Sequence, residues 1–215
     1  MAELLPINYP QAPPKAIASY NWTDLAESTG YVIYYGFDNE ADEYSLTQNS
    51  GLYSKTAKIS KGGAGTDSDE DFDITYSNPQ IIEGKLYVGI TYYVESFNNE
   101  NVDAELKVKI IHYDGSTETV IGTEQTSDNI AITLTGSEAR RTTFSFDIAN
   151  TKFKAGETLR VNVVLVPNGS SASGTNCGYY FDPVNRNIDG HLLDVGDSVT
   201  APSKLQVEVP FRIDA

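Results

Sequence analysis

Apolar residues recur at every second position through most of this chain, a period that suits a β-strand and not an α-helix. Leu86, Val88, Ile90, Tyr92 and Val94 form one such series, and Leu106, Val108 and Ile110 a second. Ile130, Ile132 and Leu134 follow, then Phe144, Phe146 and Ile148, then Leu159, Val161, Val163 and Leu165, and finally Leu205, Val207, Val209, Phe211 and Ile213. Each series lines one face of a sheet. Weaker strands are expected at 31–37, 52–59, 72–76, 117–121 and 178–181, and sustained helical periodicity is absent apart from a short turn expected at 24–28. The turn chemistry agrees: Asn98-Asn99, Asp114-Gly115 and Ala155-Gly156 separate these runs, and Asp-Gly between alternating apolar residues is a strong hairpin signal. About ten antiparallel strands in 215 residues predict an all-β fold, a two-sheet antiparallel β-sandwich with jelly-roll or Greek-key wiring.

A chain of this length buries roughly 70% of its unfolded surface, so no staple is needed. With Cys177 as the only cysteine, no intrachain disulfide can form, which fits folding in a reducing cytoplasm. Pro6, Pro10, Pro13 and Pro14 impose extended backbone and remove ladder donors. Residues 1–16 are therefore expected to form an arm, with 17–215 as a single sandwich domain. Leu4, Leu5, Pro6, Ile7, Tyr9 and Pro10 are the arm residues expected to lace into a neighbouring subunit.

Thirty acidic residues against fifteen basic ones give a net charge of −15. That charge repels nucleic-acid phosphates and anionic lipid headgroups, so neither nucleic acid nor membrane is an expected partner. The excess is concentrated early, because residues 1–101 hold 15 acids and 5 bases. No run reaches the ~18 apolar residues of a membrane span, and the first fifteen residues lack the basic and apolar regions of a secretory signal.

Two loops interrupt the strands. Residues 60–71 are rich in glycine and acid, and 168–176 in small polar residues, and both read as exposed connections; 182–203 reads as a long connection across one end of the sandwich. Asp67, Asp69, Asp71 and Asp73 alternate, so on an extended segment their carboxylates share one side, and oxygen ligands are what calcium takes. The match to an EF-hand loop fails, since its sixth and twelfth positions would be Phe72 and Asn78. A solvated acidic segment is the competing reading. Asp182, Asp189, Asp194 and Asp197 near His191 pose the same question and are more simply turn formers.

No catalytic constellation emerges. There are two histidines, His112 and His191; the first falls inside a strand, and the second has no spacing to Cys177 that marks a nucleophile and base. Phosphate-binding, zinc-ligand and nucleophile-elbow motifs are missing, so a non-enzyme is expected. Fourteen tyrosines and one tryptophan carry more information, because amphipathic rings suit interfaces and sugar-binding surfaces alike. They include the pairs Tyr34-Tyr35, Tyr92-Tyr93 and Tyr179-Tyr180. Adjacent strand residues face opposite ways, and Tyr35, Tyr93, Tyr179 and Trp22 are the expected aromatic contacts.

The opening proline arm followed by Ile17-Ala18-Ser19-Tyr20-Asn21-Trp22-Thr23-Asp24-Leu25-Ala26-Glu27, the stretch from Gly30 to Gly36, the run Phe153-Lys154-Ala155-Gly156-Glu157-Thr158-Leu159-Arg160-Val161, the element Tyr180-Phe181-Asp182-Pro183 and the terminal strand from Leu205 to Phe211 together resemble small virion proteins of tailed bacterial and archaeal viruses. The resemblance implies a jelly-roll capsid decoration protein, non-enzymatic and commonly trimeric. It would fold in the host cytoplasm, reside in the virion and bind the major capsid protein and copies of itself. The Ala-Gly-Glu-Thr-Leu turn is also found in jelly-roll carbohydrate-binding domains, and a carbohydrate-binding module with an aromatic platform and a calcium-braced loop is the alternative. A β-sandwich hydrolase or lyase would need an acid pair such as Asp69 and Asp73 at a defined separation.

Overall fold

The computed structural model describes residues 18–19, 29–38, 43–54, 56, 58–63, 65–169, 174–184 and 204–212. The expected arm, its boundary at residue 16 and the turn expected at 24–28 lie outside them. Thirteen strands occur among the described residues, with no helix: β1 (Ala18–Ser19), β2 (Thr29–Asp38), β3 (Tyr44–Thr47), β4 (Lys58–Gly62), β5 (Ser68–Thr75), β6 (Gln80–Ser96), β7 (Val102–Tyr113), β8 (Glu118–Thr126), β9 (Ile130–Ile132), β10 (Gly136–Phe153), β11 (Thr158–Pro167), β12 (Thr175–Tyr180) and β13 (Gln206–Arg212).

Hydrogen bonding runs along the order β4-β12-β6-β13-β2-β3-β5-β11-β7-β8, with β10 on the other edge of β6, β9 on β7 and β1 on β2. Neighbours distant in sequence are the rule here, as Greek-key wiring requires. All pairings are antiparallel except the single parallel bridge Ser45↔Asp73 between β3 and β5. The strands β10, β6, β13 and β2 share one apolar core cluster with β5, β11 and β7.

Alternation explains which side faces in. Leu86, Val88, Ile90, Tyr92 and Val94 of β6, Leu106, Val108 and Ile110 of β7, and Leu159, Val161, Val163 and Leu165 of β11 are all fully buried in one apolar cluster. Each such side chain contributes about 1.5–3 kcal/mol relative to exposure. Phe144, Phe146 and Ile148 of β10 join them, as do Val207 and Val209 of β13. The turns follow the expected chemistry. Gly115 has φ 96° at the β7–β8 turn, where Asp114 Oδ1 accepts the backbone N–H groups of Ser116 and Thr117 at 2.9 and 2.7 Å. Asn99 adopts a left-handed φ of 55°.

Several boundaries differ from the sequence reading. The acidic stretch 60–71 is only partly a loop, since β4 runs through Gly62 and β5 begins at Ser68. Ser68 pairs with Leu165, so the ladder to β11 starts inside the charged run. Leu134 lies beyond the end of β9 and is 68% exposed, so the third alternating series stops at Ile132. Within the expected strand 52–59, only the end belongs to β4. Conversely β10 extends back to Gly136, because Ser96 to Val88 of β6 offer a continuous partner edge to Gly136 to Phe144.

Candidate functional site

Of the residues expected to make contacts, Leu4, Leu5, Pro6, Ile7, Tyr9, Pro10 and Trp22 lie outside the described residues, as do Asp189, His191, Asp194 and Asp197. The remaining aromatic residues are interior. Tyr35 is 8% exposed, Tyr93 1% and Tyr179 0%. Tyr179 faces the main core, the reverse of its expected orientation, and packs toward Phe72 and Phe181. Tyr93 does point away from that core, yet it is covered. Its ring stacks on Tyr180 at 5.2 Å, Lys58 Nζ lies 5.5 Å from its centroid, and its hydroxyl donates to Ser60 Oγ at 3.0 Å. Tyr35 is capped in the same way by Lys204 Nζ at 5.3 Å. Alternation assigned the faces of β6 but not of β12, and it could not tell that both faces would be covered.

The aspartates do share the outward face of β5. Asp73 receives both Arg160 Nε and Nη2 at 2.8 Å. Arg160 Nη1 reaches Asp71 at 2.9 Å and also Glu118 of β8. Asn162 Nδ2 donates to Asp71 at 2.7 Å and to Asp69, while Asp67 is exposed just before the strand. The carboxylates on which the calcium reading relied are thus engaged by β11. Among the described residues, no three His, Cys, Asp or Glu side chains are grouped to hold a metal ion. Asp182 is buried and accepts the Ser54 N–H at 3.2 Å.

Among the described residues, His112, Glu157 and Cys177 serve the packing of the fold. His112 Nε2 lies 2.7 Å from Glu157 Oε2, which also accepts the Lys154 N–H at 2.8 Å. Those two bonds, the backbone one foremost, hold the Glu157 carboxyl below its ordinary range. Burial pushes the Cys177 thiol up to about 12, so it is a packed apolar group and not a nucleophile.

A concavity lies elsewhere among the described residues. A cleft of about 580 Å³ opens where β5 passes into β6, with β2, β3 and β13 supplying the rest of its wall. Tyr34, Leu46, Ile82 and Val209 form a buried floor. Ile74, Val32 and Phe211 are half-buried, and Gln48, Ser77 and Asn78 are exposed at the rim. Tyr76 occupies the junction. Its N–H donates to the Glu157 carbonyl at 3.0 Å, its carbonyl accepts the Gly156 N–H at 2.8 Å, and its ring packs edge-on to Phe153 at 5.3 Å. The β10–β11 corner, held by His112 and Glu157, therefore fixes one wall. The Tyr34 and Tyr76 hydroxyls meet at the floor with the Gln48 amide beside Tyr34, and burial raises both phenols above their ordinary value, so they stay neutral. No acidic, basic or thiol side chain lines the cleft among the described residues. Sequence reasoning missed this site, because its residues come from five separate segments, and those it singled out, such as Tyr34, Val209 and Phe211, were read only as members of separate strands.

The fold and cleft define an all-β sandwich with a concavity between its layers. No family model matches the chain, and no curated protein matches it. Among solved structures, it is similar to a CocE/NonD family hydrolase from Staphylococcus aureus, at a TM-score of 0.52 and 13% identity over 85% of this chain and 37% of that one. It is also similar to an aminopeptidase from the marine sediment archaeon Thaumarchaeota archaeon, at a TM-score of 0.50 and 9% identity over 87% of this chain and 37% of that one. The chain spans little more than a third of the length of these structures, and at such identities the likeness shows the fold alone. A structure of infectious bursal disease virus, Gx strain, covers 83% of the chain at a TM-score of 0.28 and 9% identity, too low to carry an argument.

Proposed function

We propose that this chain is a non-enzymatic virion structural protein, a capsid decoration domain that binds the major capsid protein and associates with copies of itself as a trimer. The observation that favours binding over catalysis is the state of its reactive groups. His112, Glu157, Arg160 and the β5 aspartates are held in structural pairs, Cys177 is buried, and the cleft, among the described residues, offers neutral side chains only. The resemblance to small virion proteins supplies the particle. Its run Phe153 to Val161 builds the corner between β10 and β11 on which Tyr76 rests, a rigid element suited to a surface that must keep its shape.

The test is co-sedimentation with capsids purified without the protein, read by negative-stain microscopy, together with light scattering of the protein alone. Saturable decoration of the lattice and a trimeric mass are expected. Unbound protein at every capsid concentration, with a monomeric mass, would rule the proposal out. A truncation lacking residues 1–16 is expected to decorate less well.

A further inference from the structure

We infer that the cleft between β2, β3, β6 and β13 is a binding site for a neutral saccharide. The inference rests on the binding role proposed above and gives that role a second, small-molecule partner. Three properties of the wall select this chemistry.

First, the cleft carries no charge among the described residues, in a protein whose net charge is −15. An anionic ligand would meet long-range repulsion with no local cation to offset it, and a cationic one would find no carboxylate.

Second, the polar groups that are present can each donate and accept. Gln48, Asn78 and Gln80 carry amides, and Tyr34 and Tyr76 carry phenols that stay protonated. Sugar hydroxyls also donate and accept, so amides and hydroxyls are their natural complement. A purely apolar ligand would strip water from the Asn78 and Gln80 amides at the wall without replacing its hydrogen bonds, which is costly.

Third, the apolar part of the wall is aromatic and aliphatic, with half-buried Val32, Ile74 and Phe211 above the buried Tyr34, Leu46, Ile82 and Val209. The C–H faces of a pyranose pack against such rings while its hydroxyls reach the rim. The volume, about 580 Å³, falls within the roughly 300–1,000 Å³ typical of small-molecule sites.

The site is also pre-formed. Tyr76 is fixed through Gly156, Glu157 and Phe153, so little ordering remains to be done on binding.

The experiment uses the full chain on an array of neutral and sialylated glycans, followed by calorimetric titration with the best neutral oligosaccharide found and with its sialylated counterpart. Saturable binding of neutral glycans is expected, with sialylated forms weaker. Gln48→Ala and Asn78→Ala alter exposed rim residues, and each is expected to weaken binding about fivefold, the loss of one hydrogen bond. Tyr34→Phe is expected to weaken it without changing the unfolding midpoint by more than a few degrees. Silence on the array, a preference for sialylated glycans, or undiminished affinity in both rim variants overturns the saccharide site. Capsid co-sedimentation of the same rim variants separates the two ideas. Decoration without sugar binding defeats only the cleft, and loss of both in the native chain defeats the binding role itself.

Discussion

Glu157 shows how one side chain serves both the fold and the cleft. Its carboxylate accepts from the Lys154 backbone and lies against His112 Nε2, while its own carbonyl accepts the Tyr76 N–H. These contacts favour the ionised form and depress its folded-state pKa. The resulting stabilisation is complete above the ordinary glutamate value of about 4.3 and is lost as pH falls through the lower folded value. Glu157→Gln is therefore expected to melt below the native chain at about pH 6, with the gap closing as the buffer is taken toward about pH 3. Melting followed by circular dichroism checks this, and a pH-independent gap would refute it. Glycine makes an equally local demand at Gly178, where a Cβ would lie 2.1 Å from the Ile59 carbonyl oxygen and 2.6 Å from the Tyr93 ring. Only a residue without a side chain lets β12 lie between β4 and β6.

At the scale of elements, Arg160 ties three strands together across an outer face. It sits on β11, grips Asp73 of β5 with two bonds, and reaches Asp71 and Glu118 of β8. The Asp73 bonds, foremost among these interactions, hold the guanidinium more firmly protonated than usual. Substitution by methionine keeps much of the stem's packing but leaves three carboxylates facing one another. Because the acids are a third or more exposed, solvent screening limits the expected loss to about 1 kcal/mol. Urea denaturation of Arg160→Met should show this deficit at low salt and a smaller one near 1 M salt, where the Debye length is about 3 Å. Equal deficits at both salt levels would mean that packing, and not charge, is responsible. The same pairing explains why the start of β5 was illegible in the sequence. Ser68 to Asp71 read as a solvated acidic loop, and they become strand because β11 offers Asn162 and Arg160 as partners. The first half of β10, from Ser137 to Thr143, has no apolar alternation and is a strand because the edge of β6 extends that far.

For the whole molecule, the single thiol is a reporter of global opening. Cys177 is fully buried between β4 and β6, with its thiol pushed up to about 12. An alkylating reagent at about pH 8 should therefore modify native protein far more slowly than unfolded protein, where the thiol titrates near 8.5. The labelling rate is expected to rise with urea along the unfolding curve measured by fluorescence. Fast labelling in the absence of denaturant would show that the β12 region opens locally. What the sequence by itself determined was the kind of fold and much of its core, since a strand's two-residue period fixes which side chains share a face before any partner is chosen. The hairpin at Asp114-Gly115 was legible for a similar reason, the turn being specified by its own residues. Tertiary structure alone decided whether a face ends in water or under another element. That is why Tyr93 and Tyr35, read as contacts, are covered, and why Tyr34, Gln48, Tyr76, Asn78 and Phe211, scattered over nearly two hundred residues, meet around one cleft. Such convergence depends on the order in which strands pair, and that order is set by long-range packing that no local pattern records.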